Sequence, residues 1–68
     1  MAAFITRDTV VRAAAALPDP AQTHRDFIDV EVISARGRPA MIEFQKCMAQ
    51  REDGEWRWGW EAVSCWES

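Results

Sequence analysis

From Phe27 onward, apolar and polar residues alternate. Two short breaks ending in glycine, Ala35-Arg36-Gly37 and Glu52-Asp53-Gly54, divide that alternation into three runs. A period of two is the signature of strands with one buried and one wet face. Three-residue breaks are too short for a crossover, so the runs must be consecutive antiparallel strands. The expected strands cover about 27–34, 39–50 and 55–66, a meander with the run from Pro39 in the centre.

Loop length sets the register. A two-residue Asp53-Gly54 turn would place Glu52 opposite Glu55 and slide the tryptophans onto the face of Glu43 and Gln45. A three-residue loop places Arg51 opposite Glu55, with Gly54 in the left-handed position that ends such loops. Trp58 then faces Met48, Ala62 faces Phe44 and Ser64 faces Ile42, and one side becomes almost wholly apolar. A slip of one residue would turn every side chain over, so the hydrophobic pattern selects the three-residue loop. The same device in the first hairpin sets Val32 beside Ala40, Val30 beside Ile42 and Ile28 beside Phe44.

Before Asp26 the chain is alanine-rich and reads as helix. Thr6 is the expected N-cap, Ile5 and Val10 occupy the two positions of a hydrophobic staple, and Asp8 sits in the first turn where the helix dipole favours an anion. Val10, Ala13, Ala14 and Leu17 share one face. Pro18 ends the helix, predicted over about 7–17. Asp19-Pro20-Ala21-Gln22 is a second start, good for a helical turn over about 20–25. The fold class is therefore α+β, with the helix packed on one face of the three-stranded meander.

Sixty-eight residues suffice for a single domain, 1–68, with a thin stability margin. No run approaches the roughly 20 apolar residues of a membrane span, and MAAFITRD lacks the basic-then-apolar pattern of a secretory leader. Eight basic residues against 11 acidic give a net charge of -3. That is the wrong sign for collecting phosphates or docking on anionic lipid.

Chemistry candidates are few. In this register Cys47 faces Gly59 and Cys65 faces Met41, six residues or about 20 Å apart along the sheet. A disulfide requires Cα atoms within about 7 Å, so two free thiols and a reducing, cytoplasmic compartment are expected. His24, Cys47 and Cys65 are too few and too scattered for a zinc site, and no cofactor is expected. No spacing brings His24 to either thiol as a base, and no glycine-rich phosphate loop or nucleophile elbow is present. The reading is a non-enzymatic chain with no catalytic, cofactor or metal residue assigned.

All four tryptophans lie from Trp56 onward. Trp56, Trp58 and Trp60 fall on the face the helix covers, so core filling is the reading for Trp58 and Trp60, with Trp56 and Trp66 partly exposed at the ends of the sheet. Lys46, opposite Trp60, is expected to lay its stem over that ring. The opposite, outer face carries Asp29, Glu31, Glu43 and Glu61, with Arg51 and Arg57 near one end. Ile33, Met41, Val63 and Cys65 gather at the other. An acidic field beside an apolar patch, on a face with no covering element, is suited to protein contact.

The expected function is that of a small protein-binding module, an inhibitor or accessory subunit, docking a larger protein through Asp29, Glu31, Ile33, Met41, Glu43, Glu61, Val63 and Trp66. A homodimer through this face, or through the unprotected edge of the third strand, is the other association the pattern allows. In size and charge alone the chain resembles small acidic proteins of phages and mobile elements, anti-CRISPR proteins among them; no motif carries that likeness. The alternative is a single-stranded nucleic-acid binder using the Trp/Arg strand, which the net charge opposes. The order of one helix and three strands is similar to that of double-stranded RNA-binding modules, whose closing helix and basic contacts are missing here.

Overall fold

The computed structural model describes residues 4–67. Residues 1–3, the start of the segment read for a leader, and residue 68 lie outside them. The elements are α1 (Arg7–Ala15), a 3-10 turn (Pro20–Gln22), β1 (Phe27–Ile33), β2 (Pro39–Gln50) and β3 (Trp56–Glu67), the strands forming one antiparallel sheet in the order β1-β2-β3. This is the expected α+β arrangement.

Helix α1 starts as its sequence dictates. The Thr6 hydroxyl accepts from the Thr9 N–H at 3.2 Å, and the Thr6 carbonyl accepts the first helical bond from Val10. Ile5 and Val10 both join the core, so the staple is formed. The end is tighter than expected. Ala16 and Leu17 donate to the carbonyls three residues back, closing the helix at Ala15. Asp19 caps the next turn by accepting from the Ala21 N–H at 3.0 Å, and only one 3-10 turn follows before the chain extends toward β1.

Both hairpins take the three-residue loop. Ser34 N–H donates to the Arg38 carbonyl across Ala35-Arg36-Gly37, and Arg51 N–H donates to the Glu55 carbonyl across Glu52-Asp53-Gly54. Gly37 and Gly54 have φ of 75° and 87°, the left-handed conformation that completes such loops without a Cβ penalty. The buried Ser34 hydroxyl accepts from the Arg36 and Arg38 N–H groups and braces the first loop. The β1–β2 pairs Ile28–Phe44, Val30–Ile42 and Val32–Ala40 stand where the alternation put them.

In β2–β3 the expected register holds from Gln50–Trp56 to Phe44–Ala62 and then breaks. A bulge inserts Val63, so that Ser64 faces Glu43, Cys65 faces Ile42 and Trp66 faces Met41. Two expected pairs are thus corrected: Ser64 does not meet Ile42, and Cys65 does not meet Met41. The gain is physical. An unbroken strand would press the Ser64 hydroxyl onto the core face. The extra residue instead turns Cys65 inward, where it packs against the buried cluster, and sends Ser64 outward to water.

The core consists of Ile5, Ala13, Ala40, Ile42 and Phe44, flanked by Phe4, Val10, Ala14, Leu17, Val30, Val32, Trp60 and Cys65. It lies under α1 at the end of the sheet nearest the first loop. Arg36 closes that end. Its guanidinium sits over the Phe4 ring at 5.8 Å and donates from Nε and a terminal nitrogen to Glu67 at 3.1 and 2.8 Å. The Ala35 N–H also donates to the Phe4 carbonyl.

β2 and β3 each have 12 residues and β1 only seven. Where Lys46 N–H donates to Asp26, the support from β1 ends, so the far end of the β2–β3 hairpin projects beyond both β1 and α1. A nine-residue helix spans about 14 Å, too little to follow it. Trp60 is half-buried, its indole N–H donating to the Pro18 carbonyl at 2.9 Å. Trp58 is 45% exposed and Trp56 63% exposed. The placement of Trp58 in the core is therefore corrected, because the helix stops short of it. Lys46 is paired with Trp60 across the strands, yet its ammonium lies over the Trp58 ring at 5.6 Å and donates to the Thr23 carbonyl.

Candidate interaction surface

The outer face of the sheet is built in rows by the two registers. Phe27, Gln45 and Glu61 form one row; Asp29, Glu43 and Ser64 the next; Glu31, Met41 and Trp66 the third, with Ile33 beside Pro39 beyond it. Glu43 is the hub. Asp29 stands directly across from it on β1, and Glu31 and Glu61 are its diagonal neighbours. Directly opposed Cβ atoms lie about 4.5–5.5 Å apart and diagonal ones about 7–8 Å, so the four carboxylates form one cluster on the strand spacing alone.

Like charges placed opposite each other disfavour the sheet. A cation could offset this, but among the described residues none forms an ion pair with these four: the ion pairs are Asp8–Arg12, Arg36–Glu67 and Asp53–Arg57. The expected flanking arginines are engaged elsewhere. Arg57 pairs with Asp53 at 2.9 Å, and the Arg51 guanidinium is close enough to Gly59 to meet a Cβ there at 3.3 Å. The glycine leaves room for that side chain to lie along the sheet.

Beside the carboxylates is an apolar corner. Ile33 is 62% exposed and Trp66 42%, with Met41 half-buried between them and the bulged Val63 alongside. All eight residues assigned to this surface from the sequence therefore sit on one face or at its rim. The bulge changes the membership of the corner. Cys65 leaves it for the core side, and Trp66 takes its place opposite Met41. Phe27, exposed at the far end of the same face, extends the surface beyond the eight residues expected from the sequence. Its signal was present, since it is the odd-numbered start of a run whose odd positions all face outward.

Elsewhere the candidates remain apart. Cys47 is on the outer face opposite Gly59 and Cys65 on the inner face opposite Ile42; both thiols are free. His24 is exposed in the segment before β1. Among the described residues no group of three or more His, Cys, Asp or Glu side chains could hold a metal ion. The groove between α1 and β1, lined by Thr9, Arg12, Val30 and Glu31, is shallow and open. No helix among the described residues is long and apolar enough to cross a membrane. Comparison with models of protein families, with curated proteins and with solved structures returns no match to the chain.

Proposed function

We propose that this chain is a non-enzymatic protein-binding module, an inhibitor or accessory subunit that docks a basic surface of a larger protein through the outer face of its sheet. One observation carries the reading: a cluster of four carboxylates, Glu43 with Asp29, Glu31 and Glu61 around it, forms no ion pair among the described residues and stands next to the Ile33–Met41–Trp66 corner. A partner that supplies lysine or arginine relieves the mutual repulsion, and the apolar corner adds affinity by leaving water. The acidic field also speeds encounter, so association falls as salt rises.

The test is a double charge reversal, Asp29→Lys with Glu43→Lys. It keeps the directly opposed pair like-charged and turns the diagonal contacts with Glu31 and Glu61 attractive, so repulsion within the sheet does not rise and the fold is retained. A protein captured from the native host by the immobilised chain is purified and titrated against both forms. The expected result is one-to-one binding that weakens with salt and falls at least about 100-fold in the variant, the scale of a few desolvated charge contacts. Equal affinity for both forms would refute an acidic docking face.

A second reading is favoured by the exposure of Trp56 and Trp58, which offers two indoles for base stacking. Against it stand the net charge of -3 and the engagement of Lys46 with the Thr23 carbonyl. Quenching of tryptophan emission by a single-stranded oligonucleotide at physiological salt would support stacking, and unchanged emission would dismiss it.

A further inference from the structure

The free edge of β3 carries its own pairing code. Arg51–Glu55 is a hydrogen-bonded pair, and Lys46 N–H turns away from β3 toward Asp26. Antiparallel alternation then makes Ala49–Arg57, Cys47–Gly59 and Gln45–Glu61 hydrogen-bonded pairs. The N–H and C=O groups of Trp56, Trp58, Trp60 and Ala62 are left pointing to the open side. Among the described residues no other backbone group outside the strands bonds to these four. An open edge of this kind is a template for another strand.

We infer that the edge is occupied by a second copy of this chain, β3 pairing antiparallel with β3 about a two-fold axis at Gly59. Backbone parity and charge select that centre. Outward groups must meet outward groups, so an axis falls on a residue and not between two. An axis at Trp58 would set Glu55 against Glu61 of the second copy, a like-charged pair. An axis at Trp60 would set Arg57 against Val63. Only the axis at Gly59 places Arg57 opposite Glu61, twice by symmetry, on the outer face. On the inner face it places Trp58 beside Trp60 of the second copy, bonded through the backbone, and Trp56 beside Ala62.

The bulge at Val63 begins where this pairing ends, which limits the new ladder to Trp56–Ala62. The Arg57–Asp53 pair seen within the chain is exposed on both sides and is weak competition. The two-fold also covers Trp56 and Trp58, which α1 cannot reach. The product is a six-stranded sheet with the tryptophans of both copies contiguous on the helix side. Of the four docking-face carboxylates only Glu61 stands at this seam; Asp29 and Glu43 lie away from it, so reversing their charge tests the docking face separately from the dimer.

The experiment is sedimentation equilibrium of the full chain from about 1 μM to about 1 mM, the affinity range of small transient interfaces. Wild type, Arg57→Glu, Glu61→Arg and the double swap are compared. The wild type is expected to reach twice the 7.8 kDa chain mass. Each single reversal creates two like-charged contacts and should raise the dissociation constant at least about tenfold, while the swap returns it to within about threefold. A wild type monomeric throughout, singles that associate like the wild type, or a swap that fails to recover would each overturn the inference.

A cross-link fixes the register separately. Gly59→Cys, with Cys47→Ser and Cys65→Ser, places two thiols at the axis, and mild oxidation should trap a covalent dimer once the Arg51 tip moves aside. With the axis at Trp58 or Trp60 the two Cα atoms would exceed the roughly 7 Å a disulfide spans, and no cross-link would form. Lack of the cross-link in a folded variant would overturn the Gly59 axis.

Discussion

Deleting Val63 isolates the one place where the strand pairing departs from simple alternation. Val63 is the extra residue of the bulge, between Phe44–Ala62 and Glu43–Ser64. Without it those two pairs follow in regular order, and Ser64, Cys65, Trp66 and Glu67 keep their faces. The loss is the half-burial of one valine. At 44% exposure this is about 1 kcal/mol of the roughly 1.5–3 kcal/mol for full burial of such a side chain. The offset is one fewer backbone residue to order, about 1–2 kcal/mol. The net change in unfolding free energy should fall within about 1 kcal/mol of zero. Urea unfolding followed by tryptophan emission measures it.

The sharper readout is Cys65, labelled by an alkylating reagent in a Cys47→Ser background. Because Cys65 faces Ile42 before and after the deletion, its labelling rate should change by less than about threefold, or about 0.7 kcal/mol of local opening. An unbroken strand would make Cys65 outward-facing in the parent and inward-facing after deletion, so labelling would slow sharply. That slowing, or a stability change beyond about 2 kcal/mol, would refute the bulge.

Phe44→Ala, at a site 1% exposed in the middle of the core, should cost about 3–5 kcal/mol. A chain of this size has only about 3–10 kcal/mol in total, so a large unfolded population should be visible by circular dichroism at 25 °C. Gly54→Ala forces an L side chain to φ near 87° with no compensating contact and should lose roughly 1–2 kcal/mol in thermal or urea unfolding, the cost of the left-handed conformation. Trp60→Phe removes the indole bond to the Pro18 carbonyl and should cost about 1–2 kcal/mol. It should also remove the bluest part of the emission, while Trp58→Phe, read in dilute monomer, should remove a redder component; the reverse assignment would contradict the burial of these two rings.

Most of the surface proposed for binding was legible before the fold. Alternation assigns Asp29, Glu31, Glu43 and Glu61 to one side, and the loop lengths bring Asp29 to Glu43. These are local facts, since period two and a three-residue loop leave no other register. The position of Trp66 beside Met41 was not legible, although Ser64 gave a warning: an unbroken count put a hydroxyl against Ile42, the most buried end of the sheet. Counting by twos cannot foresee where a strand will insert a residue to exchange a polar core contact for an apolar one.

The sequence alone determined the helix start at Thr6, both glycine-ended hairpins, the order of the strands and which side chains share a face, because capping, turn chemistry and alternation act over a few residues. Only the tertiary structure decided how far the apolar face is covered. A nine-residue helix anchored over Ile42 and Phe44 leaves Trp58 and Trp56 beyond its reach, and that distance is set by packing across the layers. The bulge at Val63 has the same origin. The packing of half-buried Cys65 against the core and the reach of Glu67 to Arg36 are contacts between distant parts of the chain, and they, not the local pattern, fix the end of β3.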